Sequence, residues 1–304
     1  MTKLALSTMW GIGKYPTVNE FIAAGKELGF TRFELNHAVD SAMLAGFAPN
    51  DARIVSVHEP CPADISPSEL RKRDWLISAC DEDNRQRGVL AVKRSIDLAH
   101  QLGVSVIVVH AGSVPLARPA SKVVEKLFQA EKINTPEFFD ARANAIASRA
   151  MHIAPSFAAV QKSIVELIEY ARPRGVTLGL EVRKHYHEIP SPDEMQVLLN
   201  LGDTQAVGYW HDVGHAQAWE ELGYYAHQEW LRRFASRMVG IHLHDMIGFE
   251  DHHAAGLGKI NLAMVAQYIP ANIVRTCEFQ NFNSPDQVRA GVRSLAECGC
   301  ARGD

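Results

Sequence analysis

The sequence lacks several features that would assign a protein class at once. No run of about 18 apolar residues occurs in its 304 residues, so the chain is not expected to cross a membrane. Its five cysteines have no zinc-ribbon spacing, and the first residues carry no small-residue cleavage site, which together favour a cytoplasmic location. The formal net charge is only −4, so the basic excess typical of nucleic-acid-binding proteins is missing.

Histidine, by contrast, is abundant. The chain has 14 histidines, and nine of them lie between His185 and His253. Imidazole is the commonest protein ligand of metal ions and the usual acid or base near neutral pH, so this cluster favours a metal site. With 47% hydrophobic and 22% charged residues, the composition is that of a globular protein with a sizeable core.

The order of apolar segments predicts the fold. Short β-branched or apolar runs alternate with amphipathic stretches along the whole chain, which is typical of repeated βα units. The eight predicted strands cover residues 3–8, 32–36, 53–58, 105–110, 176–181, 206–211, 239–244 and 273–278. Five of the seven intervals between successive strand ends are 24 to 36 residues long, close to the average of about 31 for an eightfold barrel.

These intervals predict an α/β fold with a single (β/α)8 barrel domain over residues 1–304. An open doubly wound sheet is less favoured, because Gly11 and Gly13 are not followed by the third glycine of a dinucleotide-binding turn. The long interval after the fourth strand predicts an insertion at residues 111–155, with helical stretches at 122–129 and 138–150, that covers one end of the barrel as a lid.

Polar residues stand where most of these predicted strands end. Seven strands carry a histidine or a carboxylate there, namely Glu34, His58, His110, Glu181, Asp212, His242 and Glu278. In a parallel barrel all strand C-termini meet at one face, where the active sites of this fold lie. Buried charges gathered in this way need a common partner. Carboxylates with imidazoles suit a divalent ion, and manganese, zinc, cobalt and magnesium all remain open.

Two local motifs enlarge this set. In HDVGHA, Asp212 is followed three residues later by His215. After HLHD, a loop returns Glu250, Asp251 and His252 toward the same face. Together with SVH, VVHAG, LGLEVR, HHAAGLG and CEF, these segments resemble, in order and spacing, the xylose isomerase-like barrels. That group includes sugar-phosphate isomerases and epimerases and the endonuclease IV type of abasic-site endonucleases, and the resemblance covers nearly the whole chain.

The resemblance implies two different sets of metal ligands. In the isomerases and epimerases, one ion is held at the positions of Glu181, Asp212, His242 and Glu278. In the endonucleases, three ions are held, and the additional ligands would be His58, His110, His215, His252 and an acid of the loop. When the loop is aligned on His252, Glu250 occupies the position where the family has aspartate. Asp251 comes one residue after that position, so both acids remain candidates.

The function implied first is that of a divalent-metal-dependent sugar or sugar-phosphate isomerase or epimerase. Glu181 and Glu278 would move a proton next to a carbonyl, and Arg183, Glu34 and Trp10 are the expected substrate contacts.

Three alternatives stay open: a multi-zinc phosphodiesterase acting on abasic DNA, a dehydratase of a keto-inositol or related polyol, and a barrel that only binds a sugar. The charge balances of residues 59–87 (−2) and 111–155 (+2) argue against a grip on DNA. The expected partner is therefore a small sugar or polyol rather than DNA, no membrane is expected to be involved, and a homo-oligomer is left open.

Overall fold

The computed structural model describes residues 3–47 and 52–301. Eight parallel strands close into a barrel in sequence order, and the last pairs with the first. These strands are β1 (Ala5–Ser7), β2 (Arg32–Leu35), β3 (Arg53–His58), β4 (Val106–Val109), β5 (Thr177–Glu181), β6 (Val207–Asp212), β7 (Met238–Leu243) and β10 (Val274–Cys277). An antiparallel hairpin of β8 (Asp245–Ile247) and β9 (Glu250–His253) follows β7. The predicted (β/α)8 barrel is confirmed.

Helices surround the barrel and connect its strands. They are α1 (Val18–Glu27), α2 (Pro67–Lys72), α3 (Glu82–Gln101), α4 (Arg118–Gln129), α5 (Pro136–Ala171), α6 (Pro192–Leu199), α7 (Val213–Glu221), α8 (His227–Phe234), α9 (Leu262–Ala266) and α10 (Pro285–Glu297). Thr17, Asp81, Ser191 and Ser284 cap four of them by accepting a backbone N–H of the first turn. No helix in residues 3–47 or 52–301 is long and apolar enough to span a bilayer.

The insertion after β4 is helical, as predicted, but it is not confined to residues 111–155. Its second helix does not stop near residue 150, since α5 continues through Pro155 into the outer helical layer. Pro155 is exposed, so water can hydrogen-bond the Met151 carbonyl that lacks its helical donor. Packing of the residues on either side then keeps the helix continuous.

The insertion has a small apolar core of its own. Buried side chains of α4 and α5 pack there with Leu222 at the end of α7, and the loop residues Tyr186 and Phe249 pack against the same cluster. Tyr186 follows β5, and Phe249 lies in the turn of the β8–β9 hairpin. The insertion therefore contacts loops that leave the C-terminal ends of the barrel strands.

Trp210 fills the interior of the barrel. It is fully buried and packs with Val106 and Val108, with Val239 and Val274 against the same cluster. Its indole ring lies under His242, with the ring centroids 5.1 Å apart. The strand ends above this ring form the candidate site, so Trp210 is its floor.

Candidate metal centre

Four residues at neighbouring strand ends form a buried ligand set, here called the central group. Glu181 ends β5, Asp212 ends β6, His242 lies in β7, and Glu278 directly follows β10. One potential ligand atom from each lies within 4.8 Å of the others. The Nδ1 atom of His242 is 2.8 Å from Glu181 Oε1, 3.0 Å from Glu278 Oε2 and 3.5 Å from Asp212 Oδ2. The four residues predicted as ligands of one ion are thus brought together.

Glu34 holds the imidazole of His242 in place. The Nε2–H group of His242 lies 3.2 Å from both carboxylate oxygens of Glu34, and the Ser56 hydroxyl donates to Glu34 at 2.7 Å. A carboxylate on the far nitrogen of a ligating histidine fixes its tautomer and makes the other nitrogen a better ligand. Glu34, expected from the sequence as a substrate contact, therefore stands behind His242.

The electrostatics of the central group fit a cation. Burial opposes a charge on His242, but Glu278 and Glu34 outweigh it and raise the pKa of His242 well above its usual value. Burial raises the pKa of Glu278, and the carboxylates of Glu34 and Glu181 raise it further. Glu278 Oε1 is buried without a hydrogen-bond partner among the described residues. Three carboxylates and one imidazole suit a hard or borderline divalent ion.

Beside the central group lies a second ligand set, here called the strand flank, made of His58, His110 and Glu181. The Nδ1–H group of His58 donates to the Glu59 carbonyl at 2.9 Å, so its Nε2 lone pair faces inward. This Nε2 atom is 3.1 Å from His110 Nε2, which is 2.9 Å from Glu181 Oε2. His110 thus contacts the oxygen of Glu181 that faces away from His242, whereas His58 Nε2 lies 3.9 Å from Oε1, the oxygen that faces His242.

On the other side, His215, Asp251 and His252 form a third set, here called the hairpin flank. His215 and His252 donate their Nδ1–H groups to the carbonyls of Val182 and Glu278, at 2.9 and 3.0 Å. Their Nε2 atoms lie 3.6 and 3.7 Å from Asp251 Oδ2.

Glu250 lies apart from the hairpin flank. Its exposed side chain contacts His253 Nε2 at 3.0 Å. Of the two acids that the sequence left as candidates, Asp251 is therefore the one that joins this group.

Two histidines at the site, His244 and His37, were missed by the sequence analysis. His244 donates from Nε2 to Asp212 at 3.0 Å and accepts the backbone N–H of His252 at Nδ1, also at 3.0 Å. It also forms a ligand set with His252 and Glu278, but both of its ring nitrogens are already engaged. Its position two residues after His242 places both side chains on one side of the chain, a signal that could have identified it.

His37 lies two residues after the end of β2, although no motif marks it. Its ring centroid lies 4.9 Å from that of His58. Burial lowers the pKa of His37 to about 3, so its ring is neutral near pH 7.

A cavity of about 610 Å³, including its open mouth, adjoins the strand flank. Its polar end is formed by Glu59, His110, Arg183 and Glu188, and its apolar wall includes Leu70, Trp75, Ile77 and Val92. Trp10 does not line this cavity; it is buried, and its Nε1–H donates to the Asn283 carbonyl at 2.9 Å.

Residues 22–298 match the family model described as the xylose isomerase-like TIM barrel, and the chain belongs to this family. The resemblance recognised in the sequence is confirmed. No curated protein matches the sequence significantly.

Solved structures with the same fold include sugar epimerases. A 3-keto-D-glucoside 4-epimerase from E. coli is 15% identical, with 98% of this chain and 100% of that chain covered and a TM-score of 0.64. A D-psicose 3-epimerase from Clostridium cellulolyticum H10 is 12% identical, with 98% and 99% covered and a TM-score of 0.64. An IolI protein with a bound zinc atom is also 12% identical, with 98% of each chain covered and a TM-score of 0.62. These likenesses show that the chain shares the fold of these proteins.

Proposed function

We propose that this protein is a divalent-metal-dependent sugar isomerase or epimerase that moves a proton at the carbon next to a carbonyl. The central group is the observation that carries the proposal. Three carboxylate oxygens lie within 3.5 Å of one imidazole nitrogen, and one further carboxylate oxygen has no partner among the described residues. Family membership and the sugar epimerases among the structural neighbours support the same activity.

The placement of the two glutamates suits proton transfer. Strands β6 and β7 separate β5, which carries Glu181, from β10, which precedes Glu278. The two carboxylates therefore reach the central group from different sides, one placed to remove a proton and the other to return it. A divalent ion held by Glu181, Asp212, His242 and Glu278 would supply Lewis acidity toward the substrate carbonyl. Manganese, zinc, cobalt and magnesium all match the ligand types.

The rest of the substrate would occupy the cavity beside the strand flank. Arg183 and His110 lie at its polar end, next to the ligand groups, and can donate hydrogen bonds to sugar hydroxyls or to a phosphate. Trp10 and Glu34 act behind the site in this proposal, because both are buried against other protein groups.

The two flanks favour a second candidate, a three-metal phosphodiesterase acting on abasic DNA. His58, His215 and His252 each donate Nδ1–H to a backbone carbonyl, which leaves the Nε2 lone pair facing the ligand groups. This arrangement prepares histidines for metal binding. A polyol dehydratase, the third candidate, would use the same central group and would differ by releasing water.

The test is proton exchange in deuterated water. After loading with Mn²⁺, the protein is incubated with a panel of free and phosphorylated ketoses, and NMR detects deuterium at the carbon next to the carbonyl. Glu181→Gln and Glu278→Gln are each expected to slow the exchange about 10³-fold, because each removes a proton-transfer group. Glu169→Gln, at an exposed position of α5, is the matched control and should exchange at the wild-type rate.

Other outcomes would replace the proposal. Nicking of an abasic duplex that is lost in His110→Ala would establish the phosphodiesterase. Loss of water from a keto-inositol would establish the dehydratase. Metal-loaded protein that labels no ketose would contradict the isomerase and epimerase activities.

A further inference from the structure

A cationic side chain already contacts the atoms with which the strand flank would hold an ion. The guanidinium of Arg183 donates from Nη1 to His110 Nε2 at 2.5 Å and to Glu181 Oε2. Since His110 Nε2 and Glu181 Oε2 are themselves 2.9 Å apart, one N–H-bearing nitrogen serves both of them. An ion bound by this group would need the same two lone pairs.

The surrounding contacts keep Arg183 in this position. Its Nη2 atom lies 3.4 Å from Glu188 Oε1, and its backbone carbonyl accepts the Trp219 indole N–H at 2.5 Å. The side chain is 15% exposed. A guanidinium stays charged at any pH at which the protein is folded, so the positive charge is permanent.

The next residue, Lys184, makes a different contact with the hairpin flank. Its ammonium lies 3.1 Å from Asp251 Oδ1 and donates to the Phe249 carbonyl at 2.8 Å. The other oxygen, Asp251 Oδ2, is the one that faces His215 and His252. Lys184 thus orients the aspartate without covering the ligand side of this group.

The central group has still less contact with cations. Asp212 and Glu278 contact histidines but neither lysine nor arginine in the part of the chain that the structure describes. Glu181 contacts Arg183 through Oε2, while its Oε1 atom faces His242. The three groups therefore differ in which ligand atoms a protein cation has taken.

We propose that the Arg183 guanidinium is the resident cation of the strand flank and takes the place of a metal ion there. A divalent ion bound beside it would lose two of its ligands and would meet a like charge within a few ångströms, in a buried site where such repulsion is strong. Metal binding is then confined to the central group and the hairpin flank. The inference rests on the proposed function only for the assignment of the central group.

Metal counting tests this inference without a substrate. The protein is equilibrated with Zn²⁺ and desalted, and bound zinc is measured by mass spectrometry of the element and by titration calorimetry. Arg183→Gln is expected to hold one zinc equivalent more than the wild type, because it frees the lone pairs of His110 and Glu181. Arg183→Lys, which keeps a cation, and Lys184→Gln, which changes the neighbouring contact, should both match the wild type.

His110→Ala locates the extra ion and covers the case in which Arg183→Gln fails to fold. In the Arg183→Gln background, this change should remove the extra equivalent, whereas in the wild type it should leave the zinc count unchanged. A wild-type protein that loses one equivalent with His110→Ala would overturn the inference. So would a folded Arg183→Gln variant, judged by circular dichroism, that gains no zinc.

The two proposals fail separately. Isomerisation without extra zinc in Arg183→Gln would remove the resident-cation inference and leave the proposed function standing. Extra zinc without any deuterium exchange would do the reverse.

Discussion

The strand flank and the hairpin flank use the same residue types on different supports. His58 lies within β3 and His110 directly follows β4, and the register of these paired strands, in which His58 is opposite Val108, fixes their spacing. Asp251 and His252 lie on β9, outside the barrel sheet. The positions of the strand-flank histidines are therefore fixed by the pairing of the barrel strands. The positions of Asp251 and His252 in the hairpin flank depend instead on a few local hydrogen bonds.

Asp245 makes several of these local bonds. Its buried carboxylate accepts the backbone N–H groups of Met246, Gly256 and Ile260 at 2.9 to 3.1 Å. Gly258 passes close by, and a Cβ atom there would overlap the Met246 carbonyl and the Asp245 carboxylate. Two similar ligand sets in one site, the strand flank and the hairpin flank, are thus held in place by very different contacts. Three predictions test this difference.

The largest effect is expected from Gly240→Ala in β7, because this change disturbs the Trp210 ring on which the whole site rests. The added Cβ would overlap the ring of Trp210, the buried floor of the site. Overpacking of this kind should lower the free energy of unfolding by about 3 kcal/mol and weaken zinc binding at the central group and the hairpin flank together. Denaturant unfolding and metal titration measure both effects.

A second variant, at Trp210, tests whether overlap with this ring causes the destabilisation. Trp210→Phe in the Gly240→Ala background should cost less than the sum of the two single changes, because the smaller ring makes room. Simple additivity would show that the overlap with Trp210 is not the cause.

Gly258→Ala should have a smaller and local effect, about 2 kcal/mol. Hydrogen exchange should accelerate in residues 245–256, and His252 should lose its part in metal binding, while β3 and β4 keep their protection. If protection fell equally in β3 and β4, the hairpin flank would not be the separate mechanical unit described above.

The smallest effect concerns the loop after β5, which carries Arg183 and Lys184 and so serves both flanks. His187 in this loop is buried against Ser121 of α4, and burial lowers its pKa from 6.5 to about 4. The unfolded chain therefore binds a proton at a higher pH than the folded protein, and stability is lost as the pH falls below about 6.5. At pH 5.5 the loss from this group is about 1.4 kcal/mol relative to pH 8.

The matched variants are His187→Gln and, at an exposed position of α3, His100→Gln. Between pH 8 and 5.5, His187→Gln should lose less unfolding free energy than the wild type, whereas His100→Gln should follow the wild type. Parallel pH curves for all three proteins would contradict the role assigned to His187.

The same difference in support explains how much the sequence could predict. All four central ligands and both histidines of the strand flank stand at or beside the ends of barrel strands, where alternation and convergence indicate their positions. On the hairpin, His252 adopts a left-handed backbone conformation with φ of 61°. Adjacent residues of a regular strand point to opposite sides, and this irregularity lets Asp251 and His252 join one group. Residue spacing could not decide between Glu250 and Asp251 for that reason.

The continuous helix α5 has a mechanical consequence for access to the site. Its 36 residues span roughly 54 Å as one rod. The half of α5 that packs with α4 over the loops is therefore rigidly joined to the half in the outer layer, and it cannot swing without moving that layer. Any movement near the site would then have to come from shorter segments, such as the loop after β5 and the turn at Phe249. The insertion is thus a fixed part of the outer layer rather than a lid that opens and closes by itself.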